Sequence, residues 1–182
     1  ELVRQGKILP LMDRLPVPED ILYMNTLDEI GVYGGTQRFM QNGSRGGPLI
    51  SDVGIHHGIE EDLDSVTIGP SVFHGLQASE DGREYTLKIR RGSRWNDGYP
   101  FTMENVRFAT EDLLLNKELM PGLPGAFRSP ISGNDISFEF IDDGTFKVIF
   151  DDPNWRFEES TDVTIFSGQK GCPRCMFAPG HV

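Results

Sequence analysis

Cysteine, positive charge and long apolar runs are all scarce in this sequence, and each shortage closes off a class of protein. Only two cysteines occur among 182 residues, both in Cys172-Pro-Arg-Cys175. A structural zinc site takes four ligands, and a thioredoxin-like CxxC sits at a helix start inside a βαβ unit. Here no second Cys pair or spaced His pair accompanies the motif, and glycines flank it. The pair is therefore an incidental loop feature or a local disulfide, with metal or redox use as the alternatives. Lysine and arginine number 17 against 28 aspartates and glutamates, a formal charge of −11. Binding to a phosphate backbone depends on clustered cations, so no nucleic-acid partner is expected. The nearest cluster, Lys88, Arg90, Arg91 and Arg94, lies in a stretch with strand periodicity that places half of it on a solvated face. No run approaches the roughly 20 apolar residues of a membrane-spanning helix. The opening Glu1-Leu2-Val3-Arg4 has no secretory apolar core, so the protein is cytoplasmic or a leader has been left out.

Catalytic signatures are missing too. There is no GxSxG elbow, no HExxH and no GxxxxGK[ST] loop. Gly31-x-x-Gly34-Gly35 precedes a candidate strand, not a helix, and reads as a backbone turn. Acidic pairs recur at Glu60-Glu61-Asp62, Asp142-Asp143, Asp151-Asp152 and Glu158-Glu159. A glycosidase pair needs two carboxyls facing across a cleft, one with a raised pKa, and nothing selects such a pair here. Adjacent His56-His57 would point to opposite faces of a strand, so no metal site is expected without a third ligand. No cofactor and no enzymatic activity are expected.

Turn formers and aromatics are abundant: 21 glycines, 12 prolines and 12 phenylalanines. Pro10, Pro16 and Pro18 forbid a long helix in the first thirty residues, Gln37–Met40 reads as a short strand, and 42–58 as a glycine-rich loop. Val72, His74, Leu76 and Ala78 alternate with Phe73, Gly75 and Gln77. After Ser79-Glu80-Asp81-Gly82, Tyr85, Leu87 and Ile89 alternate again, which predicts a β-hairpin. Met103, Val106, Ala109, Thr110, Leu113 and Leu114 recur at helical spacing, with Thr102 as cap and Glu104 in the first turn, predicting a helix over about 103–115. The prolines at 121, 124 and 130 mark 120–135 as loop. Ile136, Phe138 and Phe140, then Phe146, Val148 and Phe150 around Asp142-Asp143-Gly144, predict a second hairpin. Thr161–Phe166 is a last strand or a poor helix. The fold class is α+β, with antiparallel hairpins and at least one packed helix.

The stretch Ser79-Glu80-Asp81-Gly82-Arg83-Glu84-Tyr85-Thr86-Leu87-Lys88-Ile89-Arg90-Arg91-Gly92-Ser93-Arg94-Trp95-Asn96-Asp97-Gly98-Tyr99-Pro100-Phe101-Thr102-Met103-Glu104-Asn105-Val106 resembles the signature of the family 5 extracellular solute-binding proteins. These are the peptide, nickel and oligosaccharide receptors of ABC importers. The opening with Gly6-Lys7, Arg14-Leu15-Pro16 and Asp28-Glu29-Ile30-Gly31 through Thr36, the stretch Glu111–Leu119, the 138–150 hairpin and Phe177–His181 are similar to further parts of that family. The Cys172/Cys175 pair is not a feature of it. The resemblance implies a periplasmic-binding-protein-like fold of the cluster C type, represented by the N-terminal lobe only. On that reading residues 1–40 are the extended leading segment and first strand of lobe I, 41–170 its inserted α+β subdomain, and 171–182 the start of the return, with the second lobe absent. It implies non-covalent capture of a peptide or oligosaccharide-like solute, delivery to the importer's membrane subunits, a periplasmic or extracytoplasmic location and a monomer. By the same analogy Gln37 and Phe39 approach the solute cleft. The alternative is a truncated or split interaction module that no longer binds solute.

Overall fold

The computed structural model describes residues 2–21, 32, 34–36, 59–61, 68–70, 72–123, 125–157 and 176–181. Both expected hairpins form. β3 (Phe73–Ala78) and β4 (Glu84–Ile89) pair antiparallel, as do β5 (Ser137–Phe140) and β6 (Thr145–Ile149). Their turns use the side chains that the sequence places there. Ser79 Oγ accepts the Glu84 N–H at 2.9 Å and donates to Asp81 Oδ1 at 2.7 Å. Asp142 Oδ1 accepts the Gly144 N–H at 2.7 Å, so Asp142 is turn chemistry as expected.

The two hairpins are halves of one sheet, in the order β3-β4-β6-β5. Their inner strands pair antiparallel, with Tyr85 opposite Val148 and Leu87 opposite Phe146. A separate ribbon joins β1 (Ile59–Glu61) to β2 (Ile68–Pro70), where the sequence reading assigned no strands. The alternation expected for β3 is corrected by a bulge. Phe73 pairs with Ile89 and Gly75 with Lys88, leaving His74 as the extra residue. That extra residue turns Phe73 onto the core face, fully buried, and leaves His74 exposed.

The helix begins as expected. Thr102 and Asn105 form a capping box at the start of α1 (Met103–Arg107), with Asn105 Oδ1 accepting the Thr102 N–H at 2.9 Å. It does not continue as a regular α-helix to 115. Residues Phe108–Leu114 wind as a π-helix, and the Leu115 N–H bonds the Thr110 carbonyl five residues back at 2.8 Å. The Thr110 hydroxyl donates to the Val106 carbonyl at 2.8 Å, a bond that competes with the regular backbone ladder. Of the expected face Met103, Val106, Ala109, Thr110 and Leu114 are buried, while Leu113 is only half-buried.

This helix packs on the sheet face carrying Phe73, Tyr85, Leu87, Phe146 and Val148, all fully buried. Each such side chain is worth roughly 1.5–3 kcal/mol before entropy is subtracted. Segments with little periodicity complete the core. Leu123 and Phe127 come from the proline-rich stretch, Phe157 from the chain beyond Trp155, and Met176 and Phe177 from the final segment. Phe157 lies 4.7 Å from the Tyr85 ring and 5.0 Å from Phe150, and the Tyr85 hydroxyl donates to the Asn154 carbonyl at 2.6 Å. Among the described residues no helix is long and apolar enough to cross a membrane.

Candidate functional site

The stretch from Arg90 to Asn105 carries the loop on which residues 13–20 and 177–181 converge. Glycines shape it: Gly92 has φ 80° and Gly98 φ 90°. The Trp95 N–H bonds the Tyr99 carbonyl at 2.8 Å and the Phe101 N–H bonds the Ser93 carbonyl at 2.9 Å. Asp97 Oδ1 accepts the Tyr99 N–H at 2.9 Å, closing the Asn96-Asp97-Gly98 turn.

The leading segment is clamped to the start of this stretch. Val17 N–H bonds the Arg91 carbonyl at 2.9 Å, and a Cβ on Gly92 would lie 3.1 Å from the Val17 nitrogen. The buried Asp20 accepts the Arg91 backbone N–H at 2.8 Å and its guanidinium at 3.2 and 3.3 Å. The Arg91 guanidinium thereby holds the Asp20 carboxyl below its ordinary pKa. The buried Arg90 donates to the Asp20 carbonyl, and Arg94 Nε donates to the Asp13 carbonyl at 3.0 Å. Of these four cations Lys88, Arg91 and Arg94 are exposed and Arg90 is buried, and the three arginines also fasten residues 13–20. A groove of about 590 Å³ beside this clamp is lined by Asp20, His74, Lys88, Arg91 and the Asp142–Thr145 turn. Its charges are mixed in sign, and Asp20 and Arg91 already satisfy each other.

The returning segment is clamped to the other end. Phe177 packs edge-on against Phe73 and Phe101, at 5.8 Å from each. The Ala178 N–H bonds the Asn105 carbonyl at 3.2 Å. His181 stacks on Tyr99 at 3.9 Å, its Nε2 2.8 Å from Asp97 Oδ2. The Tyr99 N–H, followed by His181, lowers the Asp97 pKa. Asn105 ties the loop together, because Oδ1 accepts both Trp95 Nε1–H at 3.2 Å and Thr102 N–H. A second hollow, of about 440 Å³, lies between Tyr99, Glu104 and His181.

Gln37 and Phe39, expected at the solute cleft, lie outside the described residues, as do His56, His57, Cys172, Cys175 and the 161–166 segment. The described chain reaches Thr36 through Gly34 and Gly35, with φ 127° and 85°, conformations that favour glycine. The sequence alone does not mark Asp20 and His181 as anchoring residues. The first is one acidic residue in a proline-rich run, and the second meets Asp97 across 84 positions. Among the described residues no group of three His, Cys, Asp or Glu side chains is placed to hold a metal ion.

Comparison with known proteins places this geometry. The model of the bacterial extracellular solute-binding proteins, family 5 (middle part), matches residues 67–169. A periplasmic alpha-galactoside-binding protein of Rhizobium meliloti is 28% identical over 179 residues, covering 88% of this chain and 24% of that protein. The oligopeptide-binding protein OppA of Bacillus subtilis is 30% identical over 95 residues, 47% of this chain and 17% of that protein. Among solved structures, an oligopeptide-binding protein OppA superposes with a TM-score of 0.74 at 28% identity, covering 99% of this chain and 26% of the other. The periplasmic binding protein MelB of Agrobacterium fabrum shares the fold with a TM-score of 0.67. This chain thus spans about a quarter or less of the length of the curated relatives it matches.

Proposed function

The chain belongs to the family 5 bacterial extracellular solute-binding proteins, and from that premise we propose that it supplies the first-lobe portion of an ABC importer's receptor. In this reading residues 1–40 open lobe I, 41–170 form its inserted subdomain and 171–182 begin the return. The solute is a peptide or an oligosaccharide such as an α-galactoside, in keeping with the names of the relatives. It is held without covalent chemistry, and its higher affinity for the closed arrangement draws two lobes together. Gln37 and Phe39, just after Gly34-Gly35-Thr36, are the cleft residues of this proposal. The receptor works outside the cytoplasm as a monomer and hands its cargo to the importer's membrane subunits.

The observation that carries this reading is the match of residues 67–169 to the family 5 model, within a fold whose segments 13–20 and 177–181 meet on residues 90–105. The leading segment docks through Asp20 and Val17, and the returning segment through Phe177 and His181. The test is equilibrium binding by the protein isolated from its own cells, titrated by calorimetry with raffinose and with a tetrapeptide mixture. Binding of one class is expected, weakened at least about tenfold by Gln37→Ala or Phe39→Ala, the effect of losing one well-packed contact. No binding of either, or unchanged affinity in both variants, overturns it.

A further inference from the structure

The groove of about 590 Å³ beside the Asp20 clamp lies where the end of β4 meets the turn between β5 and β6. Its volume is within the roughly 300–1,000 Å³ of small-molecule sites. Three features of the chain build it. The bulge in β3 throws out His74 as an unpaired residue beside the groove, a common way of re-aiming a side chain. Lys88 lies between Gly75 of β3 and Thr145 of β6, and a Cβ on Gly75 would meet nothing within 4 Å, so space is open beside Lys88. The Ile89 N–H bonds the Gly144 carbonyl at 2.9 Å, which fixes the Asp142-Asp143-Gly144 turn against the end of β4.

The charges of the groove differ in whether they are already engaged. Asp20 and Arg91 bind each other. Asp142 accepts the Gly144 N–H of its own turn at 2.7 Å, and that bond, more than the nearby Lys88, lowers its pKa. His74, Lys88 and Asp143 are exposed and hold no hydrogen bond or ion pair among the described residues. The strand wall thus offers an uncommitted cation and imidazole, and the turn wall an uncommitted carboxylate. A ligand of one sign meets like charge on one of the walls, an anion at Asp143 and a cation at Lys88. A ligand carrying both signs avoids either repulsion. We infer that this groove binds a small zwitterion, a free amino acid or dipeptide, with its carboxylate on Lys88 and His74 and its ammonium on Asp143. The site goes beyond the receptor reading and does not draw on Gln37 or Phe39. Turn and strand are tied together before the ligand arrives, so binding requires little ordering of the protein.

Amide NMR shifts of the isotope-labelled 182-residue chain, titrated with glycylglycine at neutral pH and constant ionic strength, test this. Saturable shifts of the Ile89, Gly144 and Thr145 amides are expected, with a dissociation constant of roughly 1–10 mM, the strength of ion contacts that stay partly solvated. N-acetylglycine lacks the ammonium and glycinamide the carboxylate, and each is expected to bind about fivefold more weakly, the upper range for one exposed ion pair. Lys88→Gln weakens glycylglycine by about the same factor but leaves glycinamide no weaker, and Asp143→Asn weakens glycylglycine but leaves N-acetylglycine no weaker. Both side chains are exposed, so neither variant disturbs the core. The inference is overturned by the lack of a saturable shift at these amides. It is equally overturned if N-acetylglycine or glycinamide binds as tightly as glycylglycine, or if each variant weakens all three probes alike.

Discussion

Replacing Gly82 by alanine probes the turn between β3 and β4 with a magnitude set by two separate causes. Gly82 has φ 66°, where a Cβ costs about 1 kcal/mol. That Cβ would also fall 2.7–2.9 Å from the Trp155 indole ring, so the ring must leave. Trp155 is 59% exposed, so roughly 100 Å² of it is covered. At about 25 cal/mol per Å² this is worth at most about 2.5 kcal/mol. The substitution is expected to cost about 2–3 kcal/mol in total. Gly98 separates the causes, since it also has positive φ, 90°, but its added Cβ meets nothing within 4 Å. Gly98→Ala therefore carries only the backbone cost of about 1 kcal/mol. Urea unfolding followed by far-UV circular dichroism measures both. The decisive control is Gly82→Ala in a Trp155→Ala background, where its cost falls to the backbone part and leaves a coupling of about 1 kcal/mol or more. A Gly82→Ala cost equal to that of Gly98→Ala, or one unaltered by loss of the indole, refutes this account of the turn.

Other consequences are open to measurement. Asn105→Ala strands the Trp95 and Thr102 N–H groups and is expected to lower stability by about 2–3 kcal/mol, the penalty for unpaired donors near the core; a loss under 0.5 kcal/mol, the size of a neutral surface change, argues against the network. The Asp20 carboxyl is held below its ordinary pKa by Arg91, so its stabilisation is complete above the unfolded value near 3.9 and fades as pH falls through the lower folded value. Asp20→Asn should cost about 2 kcal/mol at pH 7 and flatten the acid limb of a pH–stability curve. An acid limb as steep as in the unsubstituted protein contradicts the clamp. Gly98→Val, which adds a branched side chain at the same φ, should lower stability by more than 1 kcal/mol, and an unchanged melting temperature refutes the turn assignment. The 182-residue chain alone is expected to bind raffinose or tetrapeptides no tighter than roughly millimolar, about 4 kcal/mol; micromolar binding in calorimetry disproves that.

What the sequence made legible was local. Both hairpins carry their periodicity and turn residues within about fifteen positions, and the helix start announces itself through Thr102. The seam between β4 and β6 had no local signal, because it joins residues some sixty positions apart whose alternation suits any antiparallel neighbour. Phe127 and Phe157 stand in runs without period, so only their burial in the common hydrophobic cluster shows them to be core. The π-wound turn was hidden because Ala109, Thr110 and Leu114 fit a regular helix almost as well. The anchoring site was legible in half: the glycines and Asp97 mark its turn, while Asp20 and His181 reach it from the two ends of the chain. Gln37 and Phe39 came from family resemblance and rest on no local chemistry.

The five-residue seam in the middle of the sheet has a consequence for how the molecule comes apart. A protease nick in the exposed stretch around Pro121-Gly122 severs the backbone between the hairpins without separating them, since Tyr85, Leu87, Phe146 and Val148 hold the pieces through a shared interior. Two polypeptides divided there are expected to reassemble on mixing, much as a zip closes from separate halves, and neither is expected to keep its shape unaccompanied.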